Sequence, residues 1–117
     1  MTTIIYGIKN CDTMKKARAW LDDHHVDYAF HDYKTGGISR DKLQQWITQT
    51  GWEALLNRAG TTFRKLDDAD KQNLNESRAV KLMLAQPSMI KRPVLESGST
   101  LLVGFKAEDY ARIFKKK

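Results

Sequence analysis

The chain has 117 residues, 41% of them hydrophobic and 29% charged, a composition that fits one globular domain with its own core. No apolar run approaches the roughly 20 residues that a membrane helix needs, so we expect no membrane-spanning helix and no membrane partner. The net charge of +6 comes from cations spread along the chain, and we interpret the lysines at 115–117 as a solvated helix end. No DNA-reading or RNA-reading motif accompanies that charge, so the sequence disfavours nucleic acid as a partner.

The use of cysteine indicates a reducing compartment. Cys11 is the sole cysteine, so no internal disulfide can form. The first nine residues also lack the basic stretch and long apolar core that a signal peptide needs. We therefore expect a cytoplasmic protein.

The first thirty residues predict a strand, a helix and a second strand. A β-branched run closed by glycine at 3–7 is typical of a buried strand. From Asp12 the apolar residues recur at helical spacing, with Asp12 or Thr13 as the capping residue. Apolar and polar residues alternate at 26–31, which predicts the second strand. A unit of this kind joins two parallel strands by a right-handed crossover.

The remainder predicts helices followed by a hairpin. Ser39 can cap one helix, a short helix is expected near 52–56, and Asn75 or Ser77 can open another helix that stops before Pro87. A turn at 97–99 joins two short strands, and 107–117 predicts a closing helix.

These elements together predict an α/β, thioredoxin-like fold. We expect a four-stranded mixed sheet in the order βαβ and then ββα. The prediction is a single domain, residues 1–117, with a helical insertion at about 39–74.

Cys11 lies at the junction of the first strand and the first helix. Backbone N–H groups and the positive end of the helix dipole favour a thiolate at such a junction. Lys9 and Lys15 are the cations nearest to it in sequence. A buried, inert cysteine is the alternative. Its place in a loop between Asn10 and Asp12 favours the reactive interpretation.

The residue three positions after the cysteine is Met14, so the chain has no C-x-x-C motif. A local dithiol switch cannot close without a second thiol. Any redox cycle must therefore take that thiol from glutathione or from a partner protein.

The dipeptide Arg92-Pro93 opens the third predicted strand. A proline at a strand start loses no ladder hydrogen bond, and Lys91 and Arg92 could be an ordinary exposed basic pair. In a thioredoxin-like fold, a cis proline at this place would instead face the cysteine and bring positive charge beside it. Taken alone, the dipeptide supports both interpretations equally.

Three separated segments carry a family resemblance: YGIKNCDT at 6–13 followed by KKA at 15–17, GTTFRKL at 60–66, and IKRP at 90–93. Together they resemble the arsenate-reductase-like ArsC/Spx family and, within it, the YffB subgroup. The resemblance implies that Cys11 is the nucleophile, that Arg92 binds anions, and that Arg64 in the helical insert lines the same cleft. It also implies a glutathione-coupled thiol reaction. The residues assigned to binding substrate or glutathione are Lys9, Asn10, Asp12, Thr13, Arg64, Lys91, Arg92 and Pro93.

Two departures from the family pattern affect the substrate. Glutathione-coupled arsenate reductases of this family carry a further arginine after the last strand, whereas the aligned position here is Gly104, with Lys106 nearby. A lysine lacks the planar fork of a guanidinium. The residues after the cysteine, 12–15, also differ from the Gly-Thr-Ser-Arg typical of those enzymes. Arsenate is therefore a doubtful substrate.

Two functions follow from this sequence. The first is a glutathione-dependent thiol reductase with Cys11 as the single nucleophile, which is arsenate-reductase-like without being a true arsenate reductase. The second is a protein-binding regulator resembling Spx but without a C-x-x-C switch. We expect no metal and no bound cofactor. Glutathione is expected as co-substrate, with a small thiol or an anionic compound as the alternative substrate. We expect glutaredoxin as a candidate partner and a monomeric protein.

Overall fold

A computed structural model describes residues 2–72 and 74–114, which belong to two compact units. The first unit draws on Met1–Asp32 and Arg92–Lys117, and the second is Tyr33–Lys91. Within the described residues, no helix has both the length and the apolar character that crossing a bilayer requires. The single-domain organisation and the insert at 39–74 remain predictions.

The elements follow one another in the order that the sequence pattern indicates. The strands are β1 Thr3–Gly7, β2 Ala29–Asp32, β3 Val94–Ser97 and β4 Thr100–Val103. The helices are α1 Asp12–Asp23, α2 Tyr33–Gly36, α3 Arg40–Thr50, α4 Trp52–Leu55, α5 Thr61–Arg64, α6 Asp68–Lys71, α7 Glu76–Ala85 and α8 Ala107–Phe114, with a 3-10 helix at Pro87–Met89.

The first unit contains a four-stranded mixed sheet with strand order β2-β1-β3-β4. β1 pairs with β2 in parallel and with β3 antiparallel, while β3 and β4 form an antiparallel hairpin. The prediction of a thioredoxin-like, mixed four-stranded sheet is confirmed. The closing helix is described to Phe114, so the predicted lysine cluster at 115–117 lies outside the described residues.

One face of this sheet packs on α1 and α8. The core is formed by side chains from β1, β3 and the two helices, all fully buried: Ile5, Met14, Ala17, Leu21, Leu95 and Tyr110. The three members in α1 are spaced at 14, 17 and 21, so one face of the helix meets the sheet. This packing holds α1 against the strand that precedes it.

A close contact between Gly7 and Met14 fixes where the chain passes from β1 to α1. A Cβ atom at Gly7 would overlap the Met14 sulfur, so any larger residue at position 7 would force the Met14 side chain to move. Met14 is fully buried. The contact between these two residues therefore holds the end of β1 against the first turn of α1, on either side of the loop that contains Cys11.

The second strand begins later than the predicted 26–31, at Ala29. The reason is a Schellman-type helix end, in which the Val26 N–H donates to the Leu21 carbonyl and the His25 N–H donates to the Asp22 carbonyl. His25 occupies the left-handed region with φ 58°. The end of α1 and the turn after it therefore include residues that the alternating pattern assigned to the strand.

The second unit consists of helices. Ser39 caps α3 by accepting from the Lys42 N–H, and Asn75 caps α7 by accepting from the Arg78 N–H, both at predicted positions. Its buried side chains include Leu43, Trp46, Leu55, Leu56, Val80, Met83 and Ile90. Leu56 and Ile90 also pair as an antiparallel bridge, which joins α4 to the segment leading out of the unit.

Replacing His25 with glycine should stabilise the protein. A side chain in the left-handed region costs roughly 1–2 kcal/mol, and glycine removes that cost but loses part of the gain to its larger chain entropy. We expect a net gain of about 0.5–1 kcal/mol, or a Tm higher by about 2–4 °C in differential scanning calorimetry.

The matched control is His25→Ala, which removes the imidazole but keeps a Cβ atom at the same backbone conformation. It should not raise the Tm. An equal rise in both variants would mean that loss of the imidazole, rather than relief of the backbone, stabilises the protein.

Candidate functional site

Cys11 is the N-cap residue of α1. Its backbone is extended, with φ −114° and ψ 130°, and helical geometry begins at the next residue. The prediction that Asp12 or Thr13 caps this helix is wrong, because the chain leaves the extended conformation one residue earlier. The Cys11 carbonyl already accepts the first helical hydrogen bond, from the Lys15 N–H at 3.0 Å. The sulfur is thus fixed at the positive end of the helix.

The surroundings lower the pKa of the Cys11 thiol below its ordinary value. Partial burial of the sulfur acts in the opposite direction and raises the pKa. The backbone N–H of Met14, a hydrogen bond from the Arg92 side chain, the N–H of Thr13 and the charge of Arg92 lower the pKa, and together they prevail. The thiol side chain does not cap the helix by accepting a hydrogen bond. The two N–H groups and Arg92 therefore stabilise mainly the ionised form of the sulfur.

Arg92 supplies the cation at this site. Arg92 was among the cations that the sequence analysis assigned to the site. Lys9 and Lys15, the nearest cations in sequence, are exposed and, within the described residues, neither adds to the lowering of the pKa. The register of the strands explains why Arg92 lies near Cys11. Tyr6 of β1 pairs with Val94 of β3, so the chain leaving β1 toward the cysteine runs beside the chain that enters β3.

The Arg92-Pro93 peptide bond is cis, as predicted for a thioredoxin-like fold. Pro93 is buried, and its carbonyl accepts a hydrogen bond from the Gly104 N–H at 2.8 Å. Arg92 is half-buried. The start of β3 is thereby tied to the end of β4.

The other residues predicted near the cysteine lie around it in the chain. Lys9 and Asn10 occupy the exposed turn between β1 and α1, and Asp12 and Thr13 form the exposed start of α1. Cys11 itself is half-buried and is in contact with the core of the first unit. The structure therefore groups Cys11, Arg92 and the N–H groups of the first helical turn, while binding by the four exposed residues remains a prediction.

Arg64 and Lys91 belong to the second unit. Arg64 is exposed and ends the short helix α5. Lys91 is also exposed, and its N–H donates to the Leu55 carbonyl at 2.7 Å. Their part in binding remains a prediction.

Lys91 shares a cleft of about 410 Å³ with Arg58, which the sequence analysis did not select. The lining residues are Glu53, Leu56, Asn57, Arg58, Ala59 and Lys91. Arg64, the predicted cleft arginine, is not among them. No local sequence pattern singled out Arg58, because the cleft forms where residues near 57 meet Lys91 through the Leu56–Ile90 bridge.

Gly104 has a backbone reason for being glycine. Its φ is +84°, a conformation that side chains rarely adopt. An arginine there would cost roughly 1–2 kcal/mol in backbone strain. Lys106, two residues later, is exposed, and its carbonyl receives the N–H groups of Asp109 and Tyr110 at the start of α8. Thus the backbone itself disfavours an arginine at position 104.

A sequence model of the ArsC family matches residues 6–113. The chain belongs to the ArsC family. Cys11, Arg92 and cis-Pro93 all lie inside the matched range. The matched range therefore includes the end of β1, which leads to the cysteine, and the whole of β3, which follows the arginine.

Several relatives within this family are similar along almost the whole chain. A solved structure of a YffB protein is 64% identical, covers 95% of this chain and 97% of its own, and superposes with a TM-score of 0.92. A solution structure of an arsenate reductase (ArsC) related protein from Brucella melitensis is 57% identical over 98% of this chain and 96% of its own, with a TM-score of 0.78. The global transcriptional regulator Spx of Streptococcus pyogenes is 35% identical over 90% of this chain and 78% of its own. The family thus includes arsenate-reductase-related proteins and Spx regulators.

Substituting Arg92 should raise the pKa of Cys11. Arg92→Ala removes both the hydrogen bond and the positive charge, while Arg92→Lys keeps a charge without the planar fork. We expect the pH midpoint of iodoacetamide alkylation to move upward in both variants, and further in the alanine variant. Mass spectrometry of the alkylated protein across pH measures that midpoint.

Arg112→Ala is the matched control, because Arg112 is an exposed arginine of the same unit and pairs only with Asp109 among described residues. Its midpoint should equal that of the wild type. An unchanged midpoint in Arg92→Ala would remove Arg92 from the group that stabilises the thiolate.

Proposed function

We propose that this protein is a glutathione-dependent thiol reductase whose single nucleophile is Cys11. The observation that carries the proposal is the position of Cys11 as the N-cap residue of α1, with a hydrogen bond from the Arg92 side chain that helps to lower the pKa of its thiol. A thiolate of this kind is a better nucleophile at neutral pH than a free thiol, because more of it is ionised.

The reaction has two exchange steps. The Cys11 thiolate attacks the glutathione sulfur of a disulfide between glutathione and another thiol. The old S–S bond breaks, a Cys11–glutathione disulfide forms, and the other thiol leaves as a thiolate with the electron pair. The thiolate of a second glutathione then attacks the glutathione sulfur of that adduct. Oxidised glutathione forms, and Cys11 leaves as a thiolate, ready for another cycle.

An external thiol is needed because the chain contains one cysteine. In a C-x-x-C protein the second thiol follows three residues later, but here that position is Met14, whose side chain is fully buried against Gly7. Glutathione supplies that thiol as a small anion. Its carboxylates also suit a chain with a net charge of +6.

A regulator that binds other proteins is the second candidate. It is supported by the 35% identity to the Spx of Streptococcus pyogenes across 90% of this chain. In that case Cys11 would serve as a sensor or would be unused. Co-sedimentation with RNA polymerase, without any reaction with glutathione disulfides, would favour this candidate over the reductase.

Incubation with oxidised glutathione should produce one adduct on Cys11. Intact-mass and peptide mass spectrometry should find it in the wild type and not in Cys11→Ser. Arg92→Ala should react more slowly at neutral pH because less of its thiol is ionised. Arg112→Ala should react at the rate of the wild type.

Excess reduced glutathione should then remove the adduct and regenerate the free thiol. If no adduct forms while a small free thiol reacts under the same conditions, the reductase proposal is wrong.

Arsenate should be a poor substrate. A tetrahedral oxyanion is held best by several convergent donors, preferably guanidinium groups that bond two oxygens at once. Gly104 stands where the family's reductases carry an arginine, and its positive φ disfavours any side chain. Loss of one charge-assisted hydrogen bond costs about 1.5–3 kcal/mol, which corresponds to roughly ten-fold to more than a hundred-fold in rate.

A coupled glutaredoxin–glutathione assay measures arsenate turnover directly. We expect turnover to be at least about ten-fold slower than exchange with glutathione disulfides. Lys106→Ala is a better probe than Gly104→Arg, because it changes charge without straining the backbone. Rapid turnover by the wild type that is lost in Lys106→Ala would mean that Lys106 replaces the missing arginine.

A further inference from the structure

We propose that Tyr6 is a positioning residue for the Cys11 thiol, acting through a hydrogen bond to Glu96 that fixes the end of the β1–β3 pair beside the site. This inference rests on the proposed function, to which it adds a residue that tunes the nucleophile without touching it. The contact behind it is short and partly buried, since the Tyr6 hydroxyl donates to Glu96 Oε1 at 2.7 Å. Every residue involved belongs to the first unit.

Tyr6 lies where the two segments of the site separate. It precedes Gly7, the last residue of β1, and it pairs with Val94, the first residue of β3. The chain reaches Cys11 four residues after Gly7, and Arg92 stands two residues before Val94. Any shift or twist of β1 against β3 at this end therefore changes the separation between the sulfur and the guanidinium.

The hydrogen bond crosses from β1 to β3 on the face of the sheet away from α1. Side chains alternate between the two faces of a strand, and Ile5 and Leu95 belong to the core that packs on α1. Tyr6 and Glu96, the next residues, therefore lie on the other face. Glu96 pairs with Ile4, so the bond runs diagonally across the ladder and resists sliding of one strand along the other.

Burial holds the Tyr6 side chain in one position. The residue is 5% exposed, and its ring also contacts the His31 ring of β2, with the centroids 5.1 Å apart. Burial and the hydrogen bond to Glu96 both raise the pKa of the Tyr6 hydroxyl, so it remains a donor throughout the pH range in which a thiol ionises. The link between the strands is therefore the same for the thiol and the thiolate of Cys11.

The hydrogen bond from the Arg92 side chain to the Cys11 sulfur is sensitive to such placement. Hydrogen bonds weaken steeply when their angle or distance departs from the preferred range. The N–H groups of Thr13 and Met14 belong to the helix that Cys11 caps and move with it, whereas Arg92 reaches the sulfur from a distant segment. Loosening this end of the strand pair should therefore weaken the Arg92 interaction selectively.

A second side-chain hydrogen bond joins the same two strands at their far end and provides a matched control. The Thr3 and Ser97 hydroxyl oxygens are buried and lie 2.9 Å apart. The two residues pair directly in the register, at the end of β1 and β3 that lies away from Cys11 and Arg92.

Tyr6→Phe removes the hydroxyl beside the site, and Thr3→Val removes the one at the far end. Each variant should lower the Tm by about 2–6 °C, because each loses one hydrogen bond between the strands. Only Tyr6→Phe should move the pH midpoint of iodoacetamide alkylation at Cys11. We expect an upward shift of about 0.3–1 pH unit, which corresponds to partial loss of one hydrogen bond to the sulfur. Glu96→Gln keeps an acceptor oxygen and should keep the wild-type midpoint.

Three results would overturn the inference. They are an unchanged midpoint in folded Tyr6→Phe, an equal rise in Thr3→Val, and an equal rise in Glu96→Gln. A rise in Thr3→Val would mean that general loosening of the sheet changes the thiol, and a rise in Glu96→Gln would mean that the charge of Glu96 does so. If Tyr6→Phe does not fold, Glu96→Leu removes the acceptor instead of the donor and is judged by the same midpoint.

The alkylation measurement involves no glutathione, so it separates this inference from the proposed function. A raised midpoint in Tyr6→Phe, with no adduct between wild-type Cys11 and oxidised glutathione, would uphold the positioning role and overturn the reductase. An adduct in the wild type, with an unchanged midpoint in Tyr6→Phe, would do the reverse.

Discussion

The hydrogen bond between the Arg92 guanidinium and the Cys11 sulfur depends on how β1 and β3 pair. Tyr6 lies opposite Val94, so the loop that follows β1 passes the residues that precede β3. A slip of one residue would turn every side chain of β3 to the other face and move Arg92 relative to the sulfur. The register is set by burial, since Ile5 and Leu95 pair with each other and both belong to the core. Core packing thus determines the electrostatics of the thiol.

The interaction between Cys11 and Arg92 also makes the stability of the protein depend on pH. The pKa of Cys11 is lower in the folded protein than its ordinary value, so the unfolded chain binds more protons at intermediate pH. The stabilisation from this difference is fully present above the pKa of the unfolded thiol, and it is lost as the pH falls through the pKa of the folded thiol. Below the folded value the thiol is neutral in both states, and the contribution vanishes.

Met14 and Gly104 show how one scaffold can support different chemistry. Met14 occupies the position of the second cysteine in a C-x-x-C motif. Its buried side chain packs against Gly7 and so helps to hold α1 in place. Gly104 occupies a left-handed turn whose N–H holds the Pro93 carbonyl. Each residue therefore contributes to the framework, at a place where the family resemblance led us to expect a reactive or anion-binding side chain. The first unit therefore offers one thiol with a lowered pKa and one guanidinium beside it.

The sequence by itself determined the element order, the βαβ and ββα topology and the position of Cys11 before a helix, because hydrophobic periodicity and a cysteine before a helix are local signals. It also located the caps at Ser39 and Asn75, where the side chain bonds within three residues. The family resemblance named Arg92, and the tertiary structure shows that this arginine, rather than a lysine near in sequence, lowers the pKa of the thiol. Lys9 and Lys15 are near in sequence but extend into solvent, whereas Arg92 arrives through strand pairing between distant segments. Arg58 was likewise invisible locally, since its cleft forms where residues near 57 meet residues near 90. Contacts between residues far apart in sequence have no local pattern, so Arg92 was predictable through the family resemblance and the fold, while Arg58 was not predicted.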